Sequence, residues 1–320
     1  MDGSDISVVI CTRDRPEALR SCLRSVAGST RRPCEVVVVD QSSDGHTAEV
    51  IEKFSAASPF PLRYLHLDTV GHTKARNAGI RASRGQIIAF TDDDCVVDAG
   101  WLDAVSREFA RSPANCVCGQ TRPASHQERP RPALLSTLNH HRRRLVRGKH
   151  NPITVGRGNN MAFRKDDLVR LGGFNEQIGV GTSVYAGDDL DLFYRLLEAG
   201  GSIMHAPDAI VLHAQPDDWE TVVRKKRGYA ISAAAVLAGR ARYGDLYAGV
   251  LLGCKILYEF GYLLCGGALR LNPRLAAIGW HSLLGSLSGL KYLLNGTFCD
   301  EARRLTRSAR ESRAPRPRHV

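Results

Sequence analysis

Three consecutive aspartates, Asp92–Asp94, carry the strongest chemical signal in the sequence. They follow an apolar run over residues 87–90 that predicts a buried strand. Adjacent carboxylates repel one another, so such a run at the end of a strand needs a compensating cation. A hard divalent metal that bridges to a diphosphate would supply that charge. The run therefore predicts a metal and diphosphate site, with an acidic surface turn as the alternative.

Polar residues also follow two other predicted strands. Asp40 comes directly after four valines and is followed by Ser42. A carboxylate at this point can accept a hydrogen bond from the imide N–H of uracil or from a ribose hydroxyl. Thr12, Arg13 and Arg15 follow the first strand and would place cations beside a nucleotide. The alternative for both segments is a polar turn with helix capping.

The elements that position these residues alternate between strand and helix. Apolar runs predict strands at 6–11, 35–40, 62–67 and 86–90, and helical periodicity predicts helices at 16–26, 47–55 and 73–83. This alternation predicts a parallel sheet covered by helices, whose ligands bind beyond the carboxyl ends of the strands. Further along, we expect a strand at 160–163, helices at 165–171 and 190–199, and strands at 202–205 and 209–213.

The positive charge of the chain is concentrated in two segments. The 320 residues include 44 Lys and Arg against 33 Asp and Glu. Eight basic residues and one acidic residue lie in 122–150, and seven basic and two acidic residues lie in 301–320. The rest of the chain is close to neutral, and few aromatics interleave with the arginines, so we do not expect nucleic acid as a partner. Such flanking basic segments favour an anionic lipid or an anionic acceptor.

Two nearly apolar stretches, at 246–268 and 275–294, predict a helical hairpin. Each has about the ~20 residues that cross a bilayer. Lys255 and Glu259 interrupt the first stretch and share one helix face, and His281 and Lys291 interrupt the second. These residues favour packing in a core, or embedding in a membrane interface, over a membrane span.

Cysteine usage and the N-terminal residues bear on location. The nine cysteines are an odd number without a C-x-x-C pair, which is typical of reduced thiols. The first residues are acidic and lack the pattern of a signal peptide. We therefore expect a cytoplasmic protein with peripheral contact at the cytoplasmic face of an anionic membrane.

In their order and spacing, the motifs resemble those of glycosyltransferase family 2. The segments that carry the resemblance are Ser7–Pro16, Val39–Asp44, Gly71–Gly79, Ala89–Asp94, Gly156–Arg164, Gly172–Glu176 and Gly187–Leu192. The resemblance covers about the first two-thirds of the chain. It implies an α/β protein with the GT-A fold, in which a Rossmann-like, mostly parallel sheet carries helices on both faces. It also implies inversion at the anomeric carbon.

The resemblance assigns the donor and its metal to the first half of the chain. It implies that Asp40 contacts the base, that Arg76 lies against uridine or phosphate, and that Asp92 and Asp94 form a metal-binding D-x-D motif around Asp93. Which two of the three aspartates bind Mn²⁺ or Mg²⁺ stays open. The residues expected to bind the nucleotide-diphosphate sugar are Thr12, Arg13, Arg15, Asp40, Ser42, Arg76 and Asp93.

The resemblance places the catalytic base in Gly187-Asp188-Asp189. The family usually has Glu-Asp here, with the second carboxylate as general base, which points to Asp189. Asp188 is shorter than the usual Glu, which puts its acceptor contact in doubt. An acidic first helical turn is the alternative. Two later features also have family counterparts. His213 would be a third metal ligand or phosphate contact, with a structural histidine as the alternative. Trp219 and residues 224–229 would form a basic-aromatic segment over the diphosphate, with a solvated helix face as the alternative.

These observations predict a metal-dependent inverting glycosyltransferase that moves a sugar from a nucleotide-diphosphate sugar, with a UDP-sugar favoured, to a hydroxyl acceptor. The acceptor could be a glycan, a lipid-linked glycan, a peptide or a small natural product. We expect a nucleotide-sugar-binding half at 1–121, a basic excursion at 122–152, an acceptor and catalytic half at 153–240, the apolar hairpin at 241–300 and a basic, disordered tail at 301–320.

Two other functions fit parts of the sequence. A nucleotidyltransferase that makes the sugar nucleotide also uses a parallel sheet and a carboxylate-bound metal, but it should carry a Gly-rich loop after the first strand. Residues 11–16 contain no glycine. A non-catalytic basic protein that binds membrane or RNA could reuse the same fold, but the intact Asp92–Asp94 and Asp189 argue against that loss of activity.

Overall fold

The computed structural model describes residues 5–124, 135–216, 218–294 and 300. Among these residues, nine strands form one sheet in the order β3-β2-β1-β4-β8-β6-β9-β5, with β7 paired to β9. The strands are β1 (Ile6–Thr12), β2 (Glu35–Asp40), β3 (Leu62–His66), β4 (Ile87–Asp92), β5 (Cys95–Val97), β6 (Cys116–Pro123), β7 (Arg144–Arg147), β8 (Met161–Arg164) and β9 (Ser202–His213).

Ten α-helices cover the sheet and extend beyond it within the described ranges. They are α1 (Pro16–Ala27), α2 (His46–Ser55), α3 (His72–Ala82), α4 (Trp101–Arg111), α5 (Lys165–Arg170), α6 (Asp188–Glu198), α7 (Trp219–Arg242), α8 (Leu246–Leu257), α9 (Gly266–Leu269) and α10 (Pro273–Gly289). A π-helical segment, Tyr258–Cys265, joins α8 to α9. Two hydrophobic clusters, one on each face of the sheet, form the core.

The strands β1 to β4 form the parallel part of the sheet. Pairs β1–β2, β1–β4 and β2–β3 are all parallel, and every residue of β1 and β2 is buried. Strands covered by helices on both faces need apolar residues at every position, which explains the continuous runs in the sequence. The predicted β-α alternation is found here with only small differences at the element ends.

The rest of the sheet is mixed. β8 is antiparallel to β4 and β6, while β9 is parallel to β6 and antiparallel to β5 and β7. The prediction of two strands at 202–205 and 209–213 is wrong, because Ser202–His213 form one strand. Its register against β6 shifts between Ala206 and Ile210, and Pro207 falls within this irregularity, where its missing N–H costs no regular ladder bond.

The basic excursion at 122–152 is partly regular. Arg144–Arg147 form β7, whose Val146 is buried while its arginines are exposed. This strand adds to the sheet beside β9, so this part of the excursion has regular structure. Residues 125–134 of the excursion and the expected tail at 301–320 lie outside the described residues.

The C-terminal part consists of α7 and the predicted helical hairpin. The helix α7, of 24 residues, was not among the elements predicted from the sequence. The arm from α8 through α9 returns as α10, which packs along α7. This contact is close, since a Cβ added at Gly289 would lie 2.7 Å from the Cβ of Ala234. Within the described ranges, Leu246–Leu269 is the one helix long and apolar enough to cross a membrane, judged by length and composition.

Candidate active site

The aspartate run begins inside β4 and continues into the turn before β5. Asp92 is the last residue of β4, so Asp93 and Asp94 lie in the turn and not in the strand. Asp93 accepts hydrogen bonds from Thr12 Oγ1 at 2.8 Å and Arg15 Nη1 at 3.2 Å, and the same Arg15 nitrogen lies 3.1 Å from Asp94 Oδ2. Burial, with the charge of Asp94, raises the pKa of Asp93 to about 7. The structure thus brings Thr12 and Arg15 of the first loop into contact with the predicted metal motif.

Arg76 connects this motif to the acidic pair of α6. Its Nη2 donates to Asp92 Oδ1 at 2.9 Å and to the Gly158 carbonyl at 2.9 Å, and its Nη1 donates to Asp188 Oδ2 at 2.7 Å. The guanidinium is 3% exposed and lies 5.2 Å from the centre of the Phe174 ring. Burial lowers the pKa of Arg76, but Asp188 and Asp92 outweigh it, so the net shift is upward. Arg76 is therefore a fixed positive charge between two groups of carboxylates.

Asp188 and Asp189 lie in the first turn of α6. The helix begins two residues earlier than expected, after Gly187, whose φ of +88° favours glycine. Asp189 Oδ2 accepts from the Gly158 N–H at 2.8 Å, and its Oδ1 accepts from the Leu190 N–H at 2.7 Å. Burial and the neighbouring Asp188 raise the pKa of Asp189. A carboxylate of raised pKa, oriented by two backbone N–H groups, is suited to accept a proton.

Two histidines border the carboxylates. His213, at the end of β9, has its Nε2 3.6 Å from Asp94 Oδ1. The sequence analysis did not single out His72, whose Nε2 lies 3.7 Å from Asp92 and whose Nδ1 lies 3.9 Å from Asp188. Burial and then Arg76 lower the pKa of His72 to about 4, so its imidazole is neutral at physiological pH. The one sequence feature that could have identified His72 was its position within the Gly71–Gly79 motif.

Asp40 and Ser42 join the loops after β1 and β2. Asp40 is fully buried, and its Oδ1 accepts from the Ser42 N–H at 2.9 Å while its Oδ2 accepts from the Tyr64 hydroxyl at 2.8 Å. Ser42 Oγ in turn accepts from the Asp14 N–H at 2.7 Å. Arg13 is exposed and pairs with Asp14 at 3.4 Å. The hydrogen bonds of Asp40 and Ser42 therefore hold the loops after β1 and β2 together. Arg13 lies outside the carboxylate cluster.

The predicted metal ligands fit a divalent ion by their chemistry. Two ligands at about 2.1 Å from one octahedral ion lie about 3 Å apart, close to the 3.6 Å between Asp94 Oδ1 and His213 Nε2. The part of the chain that the structure describes has no group of three His, Cys, Asp or Glu side chains already arranged to hold a metal. Asp92 instead engages Arg76. Asp94 and His213 thus lie within reach of one ion, and Asp92 is close enough to His213 to interact with it electrostatically.

The basic-aromatic segment at 224–229 lies on α7 as regular helix. The Tyr229 hydroxyl is 3.2 Å from Ser136 Oγ. Burial raises the pKa of Tyr229 to about 12, with smaller contributions from Asp92 and Asp189. Burial, followed by Arg157, lowers the pKa of Lys226 to about 8. These side chains therefore border the carboxylate cluster from the α7 side.

A separate cavity of about 480 Å³ lies where the ends of α6 and α7 meet the start of α8. Its lining includes Tyr194, Glu198, Arg240, Asp245 and Tyr247, and none of the residues predicted to bind donor or metal. The candidate site is therefore the carboxylate cluster at the strand ends.

A fold of this kind, with acidic residues at the carboxyl ends of parallel strands, is that of a nucleotide-binding α/β enzyme. Sequence comparison matches residues 7–172 to the family described as "Glycosyl transferase family 2". The chain belongs to glycosyltransferase family 2, as its motifs predicted.

Two curated relatives illustrate the similarity. The pre-mycofactocin glycosyltransferase of Mycobacterium tuberculosis is 28% identical over 237 residues, which cover 72% of this chain and 47% of the relative. The succinoglycan biosynthesis protein ExoM of Rhizobium meliloti is 29% identical over 216 residues, which cover 67% and 68% of the two chains. The match thus spans about half the length of the mycobacterial relative.

Solved structures share the fold. The mannosyltransferase PcManGT of Pyrobaculum calidifontis, in complex with GDP-Man and Mn²⁺, aligns with a TM-score of 0.64 at 19% identity, covering 90% of this chain and 88% of its own. S. aureus TarS 1-349, in complex with UDP-GlcNAc, aligns with a TM-score of 0.58 at 16% identity, covering 98% and 93%. The predicted GT-A fold is confirmed.

Proposed function

We propose that this protein is a metal-dependent inverting glycosyltransferase that moves a sugar from a nucleotide-diphosphate sugar to a hydroxyl acceptor. The observation that carries the proposal is the link through Arg76, which hydrogen-bonds to the D-x-D motif at 2.9 Å and to the acidic pair of α6 at 2.7 Å. Displacement at an anomeric carbon needs a base on one side and stabilised leaving-group charge on the other. The acidic pair of α6, at one end of this link, supplies the base. The D-x-D motif, at the other end, lies where the leaving-group charge is stabilised.

Asp189 is the proposed general base. The Gly158 and Leu190 N–H groups hold its two oxygens at 2.8 and 2.7 Å, so the carboxylate has a fixed orientation. The acceptor hydroxyl attacks the anomeric carbon opposite the diphosphate, and its proton passes to Asp189. Asp188 is proposed to contact the acceptor, although its Oδ2 is held by Arg76.

The donor diphosphate is proposed to lie beside Asp92–Asp94. Asp92, Asp94 and His213 would hold Mn²⁺ or Mg²⁺, which neutralises charge on the leaving diphosphate when bound. Arg15 and Arg76 add fixed positive charge at the same place. The complexes of the solved relatives with GDP-Man and Mn²⁺ and with UDP-GlcNAc support a nucleotide-sugar donor.

The nucleoside is proposed to lie over the loops that Asp40 and Ser42 fix, with Thr12, Arg13 and Asp93 beside it. A UDP-sugar is favoured because the family resemblance assigns the base contact to Asp40, whose buried carboxylate would exchange its hydrogen bond from Tyr64 for one from the uracil imide. In this scheme residues 1–121 form the donor half and 153–240 the acceptor half. The acceptor is a glycan, a lipid-linked glycan, a peptide or a small natural product, and the protein works at the cytoplasmic face of an anionic membrane.

Asp189→Asn tests the base. We expect the variant to bind UDP with Mn²⁺ as the wild type does, and its release of UDP from a panel of UDP-sugars to fall by about 10²- to 10⁴-fold. Titration calorimetry measures the first and a coupled assay for UDP the second. Asp208→Asn, a matched change at an exposed aspartate, should leave both unchanged. Transfer at the wild-type rate by Asp189→Asn would refute the assignment, and UDP binding that EDTA does not weaken would refute the metal.

A further inference from the structure

Within the described residues, the outer surface of the hairpin is apolar and exposed. Leu246 and Leu257 on the first arm are 83% and 70% exposed, and Leu269 and Leu271 at the turn are 85% and 90% exposed. Scattered exposed apolar residues are normal in soluble proteins, but a contiguous apolar patch marks an interaction surface. We call the turn at residues 269–274 the hairpin tip.

The first arm has two different faces. Ala248, Leu252, Glu259, Leu263 and Gly267 are buried and recur at helical spacing. This face contacts α7 and α10. The opposite face carries the exposed leucines and the half-exposed Tyr258 and Phe260. The packed face already contacts α7 and α10. The exposed face is therefore a second apolar surface that takes no part in the core.

Polar contacts hold the two arms together from within. Lys255 pairs with Glu259 on the first arm, and Ser286 of α10 lies against both, accepting from Lys255 Nζ at 2.8 Å and donating to Glu259 Oε2 at 2.6 Å. Breaking such a buried group leaves an uncompensated charge. The arms therefore stay side by side.

The second arm, α10, packs against α7 and so is held on the rest of the protein. A Cβ at Gly285 would lie 2.6 Å from the Arg227 carbonyl, and one at Gly289 would lie 2.7 Å from the Ile231 carbonyl. Tyr292, just after α10, packs with Ile178 of the loop before α6. To cross a bilayer, the hairpin would have to leave these contacts. A hairpin that stays on α7 can only lie on a membrane surface.

Cations surround the exposed leucines of the hairpin tip. The guanidinium of Arg270 lies 5.3 Å from the ring centre of Tyr262, and that of Arg274 lies 5.5 Å from the ring centre of Trp219. Trp280 on α10 is half exposed. Leucines that enter the acyl boundary, aromatics at the headgroup level and arginines toward anionic lipid are the composition of helices that bind membrane interfaces.

We propose that the hairpin tip and the outer face of the first arm dock on an anionic bilayer as an interfacial hairpin that does not span it. This proposal rests on the membrane contact within the proposed function and names the surface that makes it. The apolar side chains enter the headgroup and acyl boundary, while Arg270 and Arg274 contact lipid phosphates.

The test is sedimentation of the full chain with sucrose-loaded vesicles of 70% phosphatidylcholine and 30% phosphatidylglycerol. The wild type should bind, and Leu269→Asp/Leu271→Asp should weaken binding by about tenfold or more, because two buried leucines are lost. Val169→Asp, at a residue that is 57% exposed on α5, is the matched control and should bind as the wild type does. Arg270→Glu/Arg274→Glu should remove the preference for anionic over neutral vesicles. Thermal unfolding checks that each variant folds.

Three results would overturn the proposal. One is a wild type that does not sediment, or a leucine double variant that sediments equally well. Another is wild-type protein that resists extraction by alkaline carbonate, which indicates a span. The third is a dimer in analytical ultracentrifugation that the leucine double variant converts to monomer while vesicle binding is absent. Calorimetry with UDP and Mn²⁺ on the same preparations reports separately on the proposed transferase function.

Discussion

The parallel half of the sheet and the C-terminal hairpin distribute polarity in opposite ways. In β1, β2 and β4 the apolar residues are buried between helix layers, and charged residues meet at the strand ends, where Arg76 pairs with Asp92. In the hairpin the charged residues Lys255 and Glu259 lie inside, while several leucines, such as Leu257 and Leu269, lie outside. The first arrangement suits water and a polar ligand, and the second suits lipid. The comparison indicates that one chain is built for two different surroundings.

Loss of the ion pairs of Arg76 with Asp92 and Asp188 should have the largest effect on stability. Arg76→Met should lower the free energy of unfolding by about 3 kcal/mol or more, because it leaves the buried carboxylate of Asp188 without its partner. Urea denaturation measures this change. Arg15→Met, at a side chain that is 52% exposed, should cost no more than about 1 kcal/mol. Equal losses for the two variants would show that the Arg76 link is no stronger than a surface ion pair.

The inner and outer faces of the hairpin should respond differently to one added methyl group. Gly289→Ala should lower the free energy of unfolding by about 1–3 kcal/mol, because its Cβ would meet Ala234 Cβ at 2.7 Å. Gly253 is the matched control on α8, where no atom of the described part of the chain lies within 4 Å of an added Cβ. Gly253→Ala should therefore be neutral or should stabilise by up to about 1 kcal/mol. Loss of stability in both variants would mean that the outer face is also packed.

The parallel half of the sheet was predictable from the sequence, whereas the helix that packs against the hairpin was not. The apolar runs of β1 and β2 and the periodicity of α1 have one interpretation each, because a strand buried on both faces and an amphipathic helix leave clear patterns. The helix α7 leaves none. Six of its ten buried residues are alanine, glycine or serine, and Ala230 and Ala234 lie against Gly285 and Gly289 of α10, so this contact depends on small size and not on hydrophobicity.

Parts of the candidate site were also invisible in the sequence. The pairing of Arg76 with Asp188 joins residues 112 positions apart, and no local spacing reports such a contact. His72 is the first residue of α3 and carries no pattern of its own. By contrast, Asp92–Asp94 and Asp189 stood out, because clustered carboxylates at strand and helix ends are costly without a function or a partner.

The pH dependence of transfer should change least, and it tests whether Asp188 sets the pKa of Asp189. Burial and Asp188 raise the pKa of Asp189 above that of an ordinary aspartate, and a general base acts only when deprotonated. Activity should therefore be full above this raised pKa and should fall about tenfold per pH unit below it. A pH–rate profile of UDP release measures the acid limb. Asp188→Asn removes one cause of the shift and should move that limb to lower pH, while Asp208→Asn should not. An acid limb that stays in place in Asp188→Asn would mean that Asp188 does not set the basicity of Asp189.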